Sequence, residues 1–454
     1  MSRQKILIIG DSPAINTGIA ETIRLIFDAI LSRYSEYYKI QQVGLFHLYA
    51  VANPRWPVYP TKTTGVATSA RLDDRDLYGN VTGLERIILW RPDIVFAFND
   101  PQHLMAISAI KADWFKLVIY TNFDGTPYIL KDTPLILADR VVTMSKFALN
   151  IFRKTHPSYP IEKSACIYCP SDNSRFRATS EPDRSEIRHA NLPLWMGDDP
   201  FVIGWVGRNC WRKQVWLVYK IIKYIRSGAY FLCSYCGNVK LHEWDPLNQR
   251  YKCPMQLMIA KCGRCVAGSL TKAEPMLNVF LWIHMIQDDP VGAWPTEILE
   301  GMYGVSKNSD ICYTENLSNL KGLIPEDMSC LYHLFDILLF LSGGEGFGIP
   351  VLEAMSCGVP VVYTDYSAHA ELLRGGDCGI PISGTLQPES GSCVQRIIAD
   401  VGCAVEGVRR YINDKQLRQR HAASGIRYAS KFDVSTQVDQ WHLLFQSVLA
   451  ERQP

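Results

Sequence analysis

The 454-residue sequence has no long apolar run and no excess of charge of either sign. Its longest apolar stretches, such as residues 335–341, are far shorter than the ~20 residues that cross a bilayer core. The formal net charge of +2 points to neither nucleic acid nor an anionic membrane. A secretory signal needs a longer apolar core than the short N-terminal one and a small-residue cleavage site. These absences predict a cytoplasmic protein with reduced thiols.

What is present indicates an α/β protein of two domains. Hydrophobic residues make up 47% and charged residues 20%, which is a globular composition, and the length suits two cores. Short apolar runs alternate with amphipathic helical patterns in two series, which predicts two doubly wound, Rossmann-like domains facing a cleft. The predicted segments are an N-terminal domain at 1–180, a polar crossing at 181–200, a C-terminal domain at 201–430 and a helix at 431–454.

A glycine-rich turn stands between a predicted strand that ends at Leu341 and a predicted helix that starts near Ile349. Consecutive backbone N–H groups and a helix N-terminus form a seat for an anion. Glu345 in the turn is placed to accept hydrogen bonds from sugar hydroxyls, and Glu353 in the helix suits the two hydroxyls of a ribose. A purely structural turn is the alternative, and the turn taken alone favours it.

A second motif follows the first predicted strand of the same domain, at Gly207, Arg208 and Lys213. Arg208 and Lys213 are five residues apart, which suits a two-point clamp on a diphosphate, because a guanidinium offers paired donors and an ammonium a point charge. Solvated surface cations are the alternative. Both motifs follow strands of one sheet, so we expect both at the same edge.

Together these motifs resemble the retaining GT-B glycosyltransferases of family four, the glycosyl transferases group 1 class. The resemblance covers nearly the whole chain and is strongest from residue 201 to 379. It implies a GT-B fold and transfer of a sugar from a nucleoside-diphosphate sugar with retention at the anomeric carbon. It also implies a reaction without a catalytic divalent metal, because fixed cations and helix N–H groups stabilise the leaving diphosphate.

The resemblance assigns roles to individual residues. It implies diphosphate contacts from Arg208 and Lys213, with Gly207 beside them, and ribose binding by Glu353. A loop that contains Ile324 resembles the nucleobase-binding loop. The family's sugar contacts correspond to the turn residues Glu345, Gly346, Phe347 and Gly348.

The N-terminal domain carries weaker signals. Gly18 opens a predicted helix and allows backbone to approach the donor phosphate or the acceptor. Asp124 stands near the position where many family members carry His, and Asp100 is a second candidate for the catalytic polar group. For either aspartate a turn or capping role is an equal alternative. The expected catalytic residues are Asp124, Glu345, Arg208 and Lys213.

The triplet Asp74-Arg75-Asp76 has the spacing that can hold a divalent cation against a diphosphate. It lies in a polar run with no buried strand before it to aim the carboxylates, and such short matches arise often by chance. We therefore interpret it as a solvated turn.

Fourteen cysteines are many for a reduced compartment, and four of them form two Cys-x-x-Cys pairs separated by 25 residues. This spacing predicts a zinc-ribbon-like insertion at 231–270 with a structural zinc, since four thiolates leave no open position for chemistry. Buried free thiols are the alternative, and Cys253 or His242 can replace a ligand. The predicted ligands are Cys233, Cys236, Cys262 and Cys265.

The residues leave some functional questions open. A non-catalytic protein that binds a nucleotide sugar, or nucleic acid through the zinc module, is the alternative function. A nucleotide-sugar 2-epimerase of the same fold is disfavoured, because the Glu345 and Glu353 pair belongs to the transferase pattern. The acceptor is open among glycan, lipid, protein and modified nucleic acid, since acceptor loops carry no transferable code.

Overall fold

The computed structural model describes residues 3–46, 54–61, 76, 78–127, 134–233, 239–241, 244–245, 250–251, 270–287, 294–315, 317, 322–390 and 392–451. Two parallel sheets form the framework of this part of the chain. Alternate residues of a strand enter different cores: Ile6 and Ile8 pack in one, and Leu7 and Ile9 in another. Both faces of the sheet are therefore covered, as parallel sheets require. The predicted fold class of two doubly wound α/β halves is confirmed.

The first sheet has the strand order β3-β2-β1-β4-β5-β6-β7, and every neighbouring pair is parallel. The order reverses between β1 and β4, and open sheets bind ligands at such a switch point. The strands are β1 Gln4–Asp11, β2 Tyr38–Leu45, β3 Val58–Pro60, β4 Ile94–Phe98, β5 Lys116–Thr121, β6 Arg140–Thr143 and β7 Ser164–Cys166.

The second sheet has the order β15-β14-β8-β16-β17-β18 and is also parallel. Its switch point lies between β8 and β16. The strands are β8 Phe201–Val206, β14 Val279–His284, β15 Ile311–Tyr313, β16 Ile337–Phe340, β17 Val361–Thr364 and β18 Gly379–Ile382. Short antiparallel strands outside it are β9 Tyr230–Cys233, β10 Val239–Leu241, β11 Trp244–Asp245, β12 Arg250–Tyr251, β13 Leu270–Lys272, β19 Gly384–Pro388 and β20 Gln395–Ala399.

The helices cover the two sheets. In the first, Thr17 accepts a hydrogen bond from Ala20 N at 3.1 Å, which caps the helix, and Ile23, Ile26 and Ile30 are buried at three- and four-residue spacing. In chain order the helices are α1 Gly18–Tyr34, α2 Asn80–Trp90, α3 Met105–Ala109, α4 Lys146–Thr155, α5 Glu181–Asn191, α6 Val215–Ser227, α7 Thr296–Tyr303, α8 Pro325–Leu334, α9 Ile349–Ser356, α10 Ser367–Gly376, α11 Val401–Asn413, α12 Lys415–Ala429 and α13 Val434–Ala450. None of these is long and apolar enough to cross a bilayer.

The last helix, α13, returns to the first half. Arg33 of α1 donates to Asp439 Oδ1 at 2.6 Å, and the rings of Phe27 and Phe445 stack with centroids 6.3 Å apart. The predicted crossing contains α5, whose Arg184 donates to the carbonyl oxygen of Phe335 at 2.8 Å in the second half. Thus α13, from the end of the chain, packs on the first half, and α5, from the predicted crossing, contacts the second half.

The structure can be compared with two sequence predictions, the solvated turn at residues 74–76 and the zinc ligands. Asp76 does not lie in a solvated turn: it is buried and accepts hydrogen bonds from the backbone N–H groups of Val81 and Thr82, at 2.7 and 3.2 Å. For Asp76 the interpretation was wrong, because its carboxylate caps the start of α2, whereas Asp74 and Arg75 lie outside the described residues. The zinc ligands are untested. Cys233 ends β9, but its side chain and Cys236, Cys262 and Cys265 lie outside the described residues, as do Cys253 and His242.

Candidate active site

The glycine-rich turn lies at the switch point of the second sheet, between β16 and α9. Gly348 has φ +107° at the first position of the turn into α9, and a Cβ there would lie 3.0 Å from His369 Cβ. The ring of Phe347 is buried against Tyr168 and Phe432, with centroids 6.2 Å away in both cases. This packing leaves the backbone of Phe347, rather than its ring, for contact with a ligand.

Glu345 is a buried carboxylate held by two cations. Lys213 Nζ donates to Oε1 at 2.5 Å, and Arg212 Nη1 lies 2.9 Å from Oε2. The backbone N–H of Glu345 donates to Ser367 Oγ at 2.8 Å. Burial alone would raise the pKa of the Glu345 carboxyl, but Arg212 and Lys213 outweigh it and hold that pKa well below its usual range. The carboxylate is therefore charged and fixed in the turn.

Arg212, for which the sequence predicted no role, joins the turn to the first half. It donates to the carbonyl oxygen of Gly344, and its Nε lies 3.7 Å from Asp124 Oδ2. Burial acts to lower the pKa of Arg212, but Glu345 and Asp124 raise it above the ordinary arginine value. Arg212 is therefore a permanent cation between two carboxylates.

The predicted clamp residues occupy different environments. Arg208 is exposed in the turn after β8, whereas Lys213 is buried at the end of a short 3-10 helix, Trp211–Lys213. Gly207 lies beside the Lys213 stem, since a Cβ there would be 3.5 Å from Lys213 Cδ. The structure thus brings Gly207 and Lys213 together at one edge of the sheet and leaves Arg208 at the rim.

Glu353 lies in α9, eight residues after Glu345 in the sequence. The hydroxyl of Tyr332 in α8 donates to its Oε2 at 2.7 Å. Burial raises the pKa of Glu353 to about 7, although the Tyr332 hydrogen bond acts against this rise. Glu353 and Ile349 line a pocket at the boundary of the two halves, and Ile324 is 58% exposed just before α8. The two predicted nucleoside contacts therefore stand at opposite ends of α8.

Gly18 brings two helix N-termini together. It begins α1, and a Cβ at this position would lie 3.0 Å from Ile349 Cδ1 at the start of α9. Gly346 is similarly close to the first half, where a Cβ would meet Asn122 Cβ at 2.6 Å. Positive helix ends from both halves thus point into one cleft, which favours an anionic ligand.

Three aspartates lie at the ends of adjacent strands of the first sheet: Asp11 is the last residue of β1, Asp100 follows β4 and Asp124 follows β5. Burial raises the pKa of Asp11 to about 6; a hydrogen bond from Thr17 lowers it and the charge of Asp100 raises it. Burial also raises the pKa of Asp100, with a further contribution from Asp124. Burial therefore makes both carboxyl groups easier to protonate than an exposed aspartate.

The two candidates for the catalytic polar group differ in their partners. Asp100 Oδ1 accepts a hydrogen bond from Asn122 Nδ2 at 3.0 Å within its own half. Asp124 Oδ1 lies 2.9 Å from Arg396 Nη1 of the second half, and its other oxygen faces Arg212. Because Arg212 also contacts Glu345, Asp124 is joined by an ion pair to the charged group around the glycine-rich turn, whereas Asp100 is coupled by charge to Asp124 and Arg212.

Several residues of this site were missed from the sequence. Arg212 carried a signal, since it stands next to Lys213 in the predicted clamp. Ser367, at φ +59°, and the buried His369, hydrogen-bonded to it at 3.3 Å, support the turn from α10 and carried no motif. Burial lowers the pKa of His369 to about 4, so this ring is neutral. Among the described residues, no group of three or more His, Cys, Asp or Glu side chains could hold a metal ion.

Part of the chain matches a known family. Residues 306–400 match the family described as glycosyl transferases group 1. The O-antigen chain mannosyltransferase B of Escherichia coli is 45% identical over 112 residues, which are 24% of this chain and 25% of that protein. The phosphatidyl-myo-inositol mannosyltransferase of Mycobacterium leprae is 32% identical over 106 residues, 23% of this chain and 25% of that protein. The chain thus matches about a quarter of the length of these curated relatives.

Solved structures match the whole fold at low sequence identity. Sucrose-phosphate synthase from Thermosynechococcus elongatus superposes with a TM-score of 0.69 at 12% identity, covering 99% of this chain and 100% of that one. Anabaena HepE in complex with UDP-glucose gives 0.63 at 16% identity, covering 98% and 100%. The chain has the GT-B fold, and its residues 306–400, which include the glycine-rich turn, Glu345 and Glu353, match the glycosyl transferases group 1 family.

Proposed function

We propose that the protein is a retaining glycosyltransferase that moves a sugar from a nucleoside-diphosphate sugar to an acceptor. The observation that carries this proposal is the buried group of Glu345, Lys213 and Arg212 in the glycine-rich turn. Two fixed cations at a sheet switch point, beside two helix N-termini, are placed to receive a diphosphate. Its departure builds negative charge, which these groups stabilise without reorganising.

Glu345 holds the two cations in place when no donor is bound. A diphosphate carries at least two negative charges and competes for Lys213 and Arg212, which frees the Glu345 carboxylate to accept hydrogen bonds from the transferred sugar. The backbone N–H of Glu345 stays bonded to Ser367, so the carboxylate changes partners without movement of the turn. Arg208 at the rim is the second predicted diphosphate contact.

The nucleoside is assigned to the pocket next to α9. Glu353 lines this pocket and is oriented by Tyr332, which suits an acceptor for the ribose hydroxyls. Ile324 is exposed at the other end of α8 and offers an apolar contact for a base. Gly18 and Gly346 permit the two halves to approach closely around the donor.

The names of similar proteins support this class of donor. Two of the relatives that match part of this chain are mannosyltransferases, and HepE is described in complex with UDP-glucose. Within this class the sugar and the base of the donor are open, and so is the acceptor. The cytoplasmic setting and the structural zinc of the Cys233–Cys265 module are further parts of the proposal.

The test is release of nucleoside diphosphate from a panel of nucleotide sugars that begins with UDP-glucose and GDP-mannose. In the absence of an acceptor we expect slow hydrolysis of one donor, retained when chelators remove loosely bound divalent cations. Tight binding of a donor with no release by wild-type protein, in the presence of a broad set of glycan and lipid acceptors, would favour the binding-protein alternative instead.

A further inference from the structure

The hairpin of β19 and β20 is a separate feature of the second half, inserted between β18 and α11. It is fastened to the glycine-rich turn, because Ile397 N donates to the carbonyl oxygen of Gly343 at 3.0 Å. The buried side chain of Gln214 adds two bonds: its Nε2 donates to Ile397 O at 2.6 Å, and its Oε1 accepts from Ala399 N at 3.0 Å. The hairpin is therefore hydrogen-bonded both to the glycine-rich turn and to the residue that precedes α6.

The start of β20 reaches the first half. Gln395 N donates to the carbonyl oxygen of Thr126 at 2.9 Å. Arg396 Nη1 donates to the carbonyl oxygen of Asp124 at 3.1 Å and lies 2.9 Å from Asp124 Oδ1. These three bonds join the loop after β5 to a hairpin of the opposite half.

Arg396 depends on these contacts because it is only 7% exposed. Within its own hairpin it has Glu389, which accepts from Nε at 3.2 Å and from Nη2 at 2.9 Å. Its remaining nitrogen, Nη1, is satisfied by Asp124 alone among the described residues. Separation of the halves would remove both Asp124 oxygens from this guanidinium, and charge-assisted hydrogen bonds of this kind are among the stronger ones.

We propose that the β19–β20 hairpin is an interdomain clasp and that Arg396 is a positioning residue for Asp124. In the closed arrangement Arg396 and Arg212 each face one oxygen of the Asp124 carboxylate, which fixes it beside the turn that carries Glu345. Closure then adds Asp124 to the charged group of the second half, as lids complete the site in other enzymes. The inference rests on the proposed function only where it concerns turnover.

Gly125 provides a variant that acts on the clasp directly. A Cβ on Gly125 would lie 2.3 Å from Val394 Cγ1 and 2.8 Å from the carbonyl oxygen of Gln395, and both atoms belong to the opposite half. The third of the three nearest atoms, Arg396 Nη1 at 3.3 Å, also belongs to the opposite half, so none of the three lies in the half that carries Gly125. Gly125→Ala should therefore fold and be unable to close.

Small-angle X-ray scattering of the full chain, with and without UDP, measures closure independently of activity. We expect Gly125→Ala and Arg396→Gln to have larger radii of gyration than wild type in UDP, with Arg374→Gln, an exposed arginine of the same half, unchanged. Wild-type radii in both clasp variants would overturn the inference. If Gly125→Ala does not fold, Arg396→Gln decides the question.

Turnover separates positioning from a merely structural role. For hydrolysis of UDP-glucose, or of the donor in the panel that wild type hydrolyses fastest, we expect Arg396→Gln to lower kcat about tenfold while KM changes less than about threefold. Arg396→Lys should recover part of kcat, because it restores the charge. An equal kcat in wild type and Arg396→Gln would contradict positioning. If wild type hydrolyses no donor, the proposed function fails and scattering still tests the clasp.

Discussion

The two halves share one fold but carry different ionisable groups at the switch points of their sheets. The switch point of the first sheet carries Asp11 and Asp100, whose pKa values burial raises. The switch point of the second carries Lys213 and Arg212 around the single carboxylate of Glu345. The doubly wound fold places a loop at the same edge in both cases, so the side chains on the loop decide which ligand fits. In the proposed function, the second half binds the diphosphate and the first half binds the acceptor.

Among the variants proposed here, loss of Lys213 should lower turnover the most. Lys213→Ala removes one fixed cation from the leaving diphosphate and leaves Glu345 with Arg212 alone. We expect turnover to fall by about 10²–10³-fold, as for loss of one preorganised stabilising donor. Release of UDP from the donor measures it, with Lys223→Ala, an exposed lysine on α6, as the matched control. Equal turnover in Lys213→Ala and wild type would remove the assignment of a cationic diphosphate site to this half.

Glu345 should affect turnover and spare diphosphate affinity. In Glu345→Gln the two cations lose their anionic partner, so they remain available to a diphosphate, while the sugar loses a charged acceptor. We expect kcat to fall by about tenfold or more and affinity for free UDP, which lacks the sugar, not to fall. Titration calorimetry with UDP decides this. Weaker UDP binding in Glu345→Gln would show that its carboxylate contacts the nucleotide instead.

Glu353 should show the reverse pattern. Glu353→Gln keeps the size of the side chain and loses a charge-assisted acceptor for ribose, which weakens UDP binding by about 1 kcal/mol, or roughly fivefold. The same calorimetric titration measures this loss above the Glu353 pKa of about 7, where the carboxyl is ionised, and Glu297→Gln on the exposed face of α7 is the control. Equal losses in Glu345→Gln and Glu353→Gln would mean that the two carboxylates have been assigned wrongly.

The raised pKa of Glu353 also gives stability a pH dependence. In the folded protein it is about 7, above the ordinary value of 4.5, so the folded state retains a proton that the unfolded state releases. Stability associated with this group is therefore present below about pH 4.5 and is lost as the pH rises towards 7. Relative to wild type, Glu353→Gln should gain about 1–3 kcal/mol of unfolding free energy between pH 5 and pH 8. Urea unfolding at the two pH values tests this, and a constant difference would contradict it.

Loss of the predicted zinc should have the smallest effect on UDP binding. The four-cysteine spacing predicts about one zinc per chain in protein purified without added metal, bound by Cys233, Cys236, Cys262 and Cys265. Four thiolate ligands make the ion structural, so a Cys262→Ser variant should lose zinc and thermal stability while UDP affinity stays within about twofold. Metal analysis checks the stoichiometry. Protein expressed with zinc available and found without it would exclude the ribbon.

The local patterns of the sequence predicted several of the strands that are buried on both faces. Strands β4 and β8 were predicted with their observed ends, Ile94–Phe98 and Phe201–Val206, because a strand covered on both faces is a continuous apolar run. Strand β2, Tyr38–Leu45, was missed, since two glutamines interrupt its apolar pattern. One of these, Gln42, is buried and donates to the carbonyl oxygen of Asp11 at 2.8 Å, a compensation that no local pattern shows.

The sequence by itself determined two doubly wound halves, the position of the glycine-rich turn and the residues Lys213, Glu345 and Glu353 as candidates for one site. These depend on short-range spacing, which strand periodicity and motif order make visible. Only the tertiary structure decided that Glu345 is shared by Lys213 and Arg212, that Asp124 rather than Asp100 joins them, and that Arg396 comes from a hairpin without a motif. The physical reason is that Coulomb and hydrogen-bond energies depend on distances across the cleft, and chain separation carries no information about those distances.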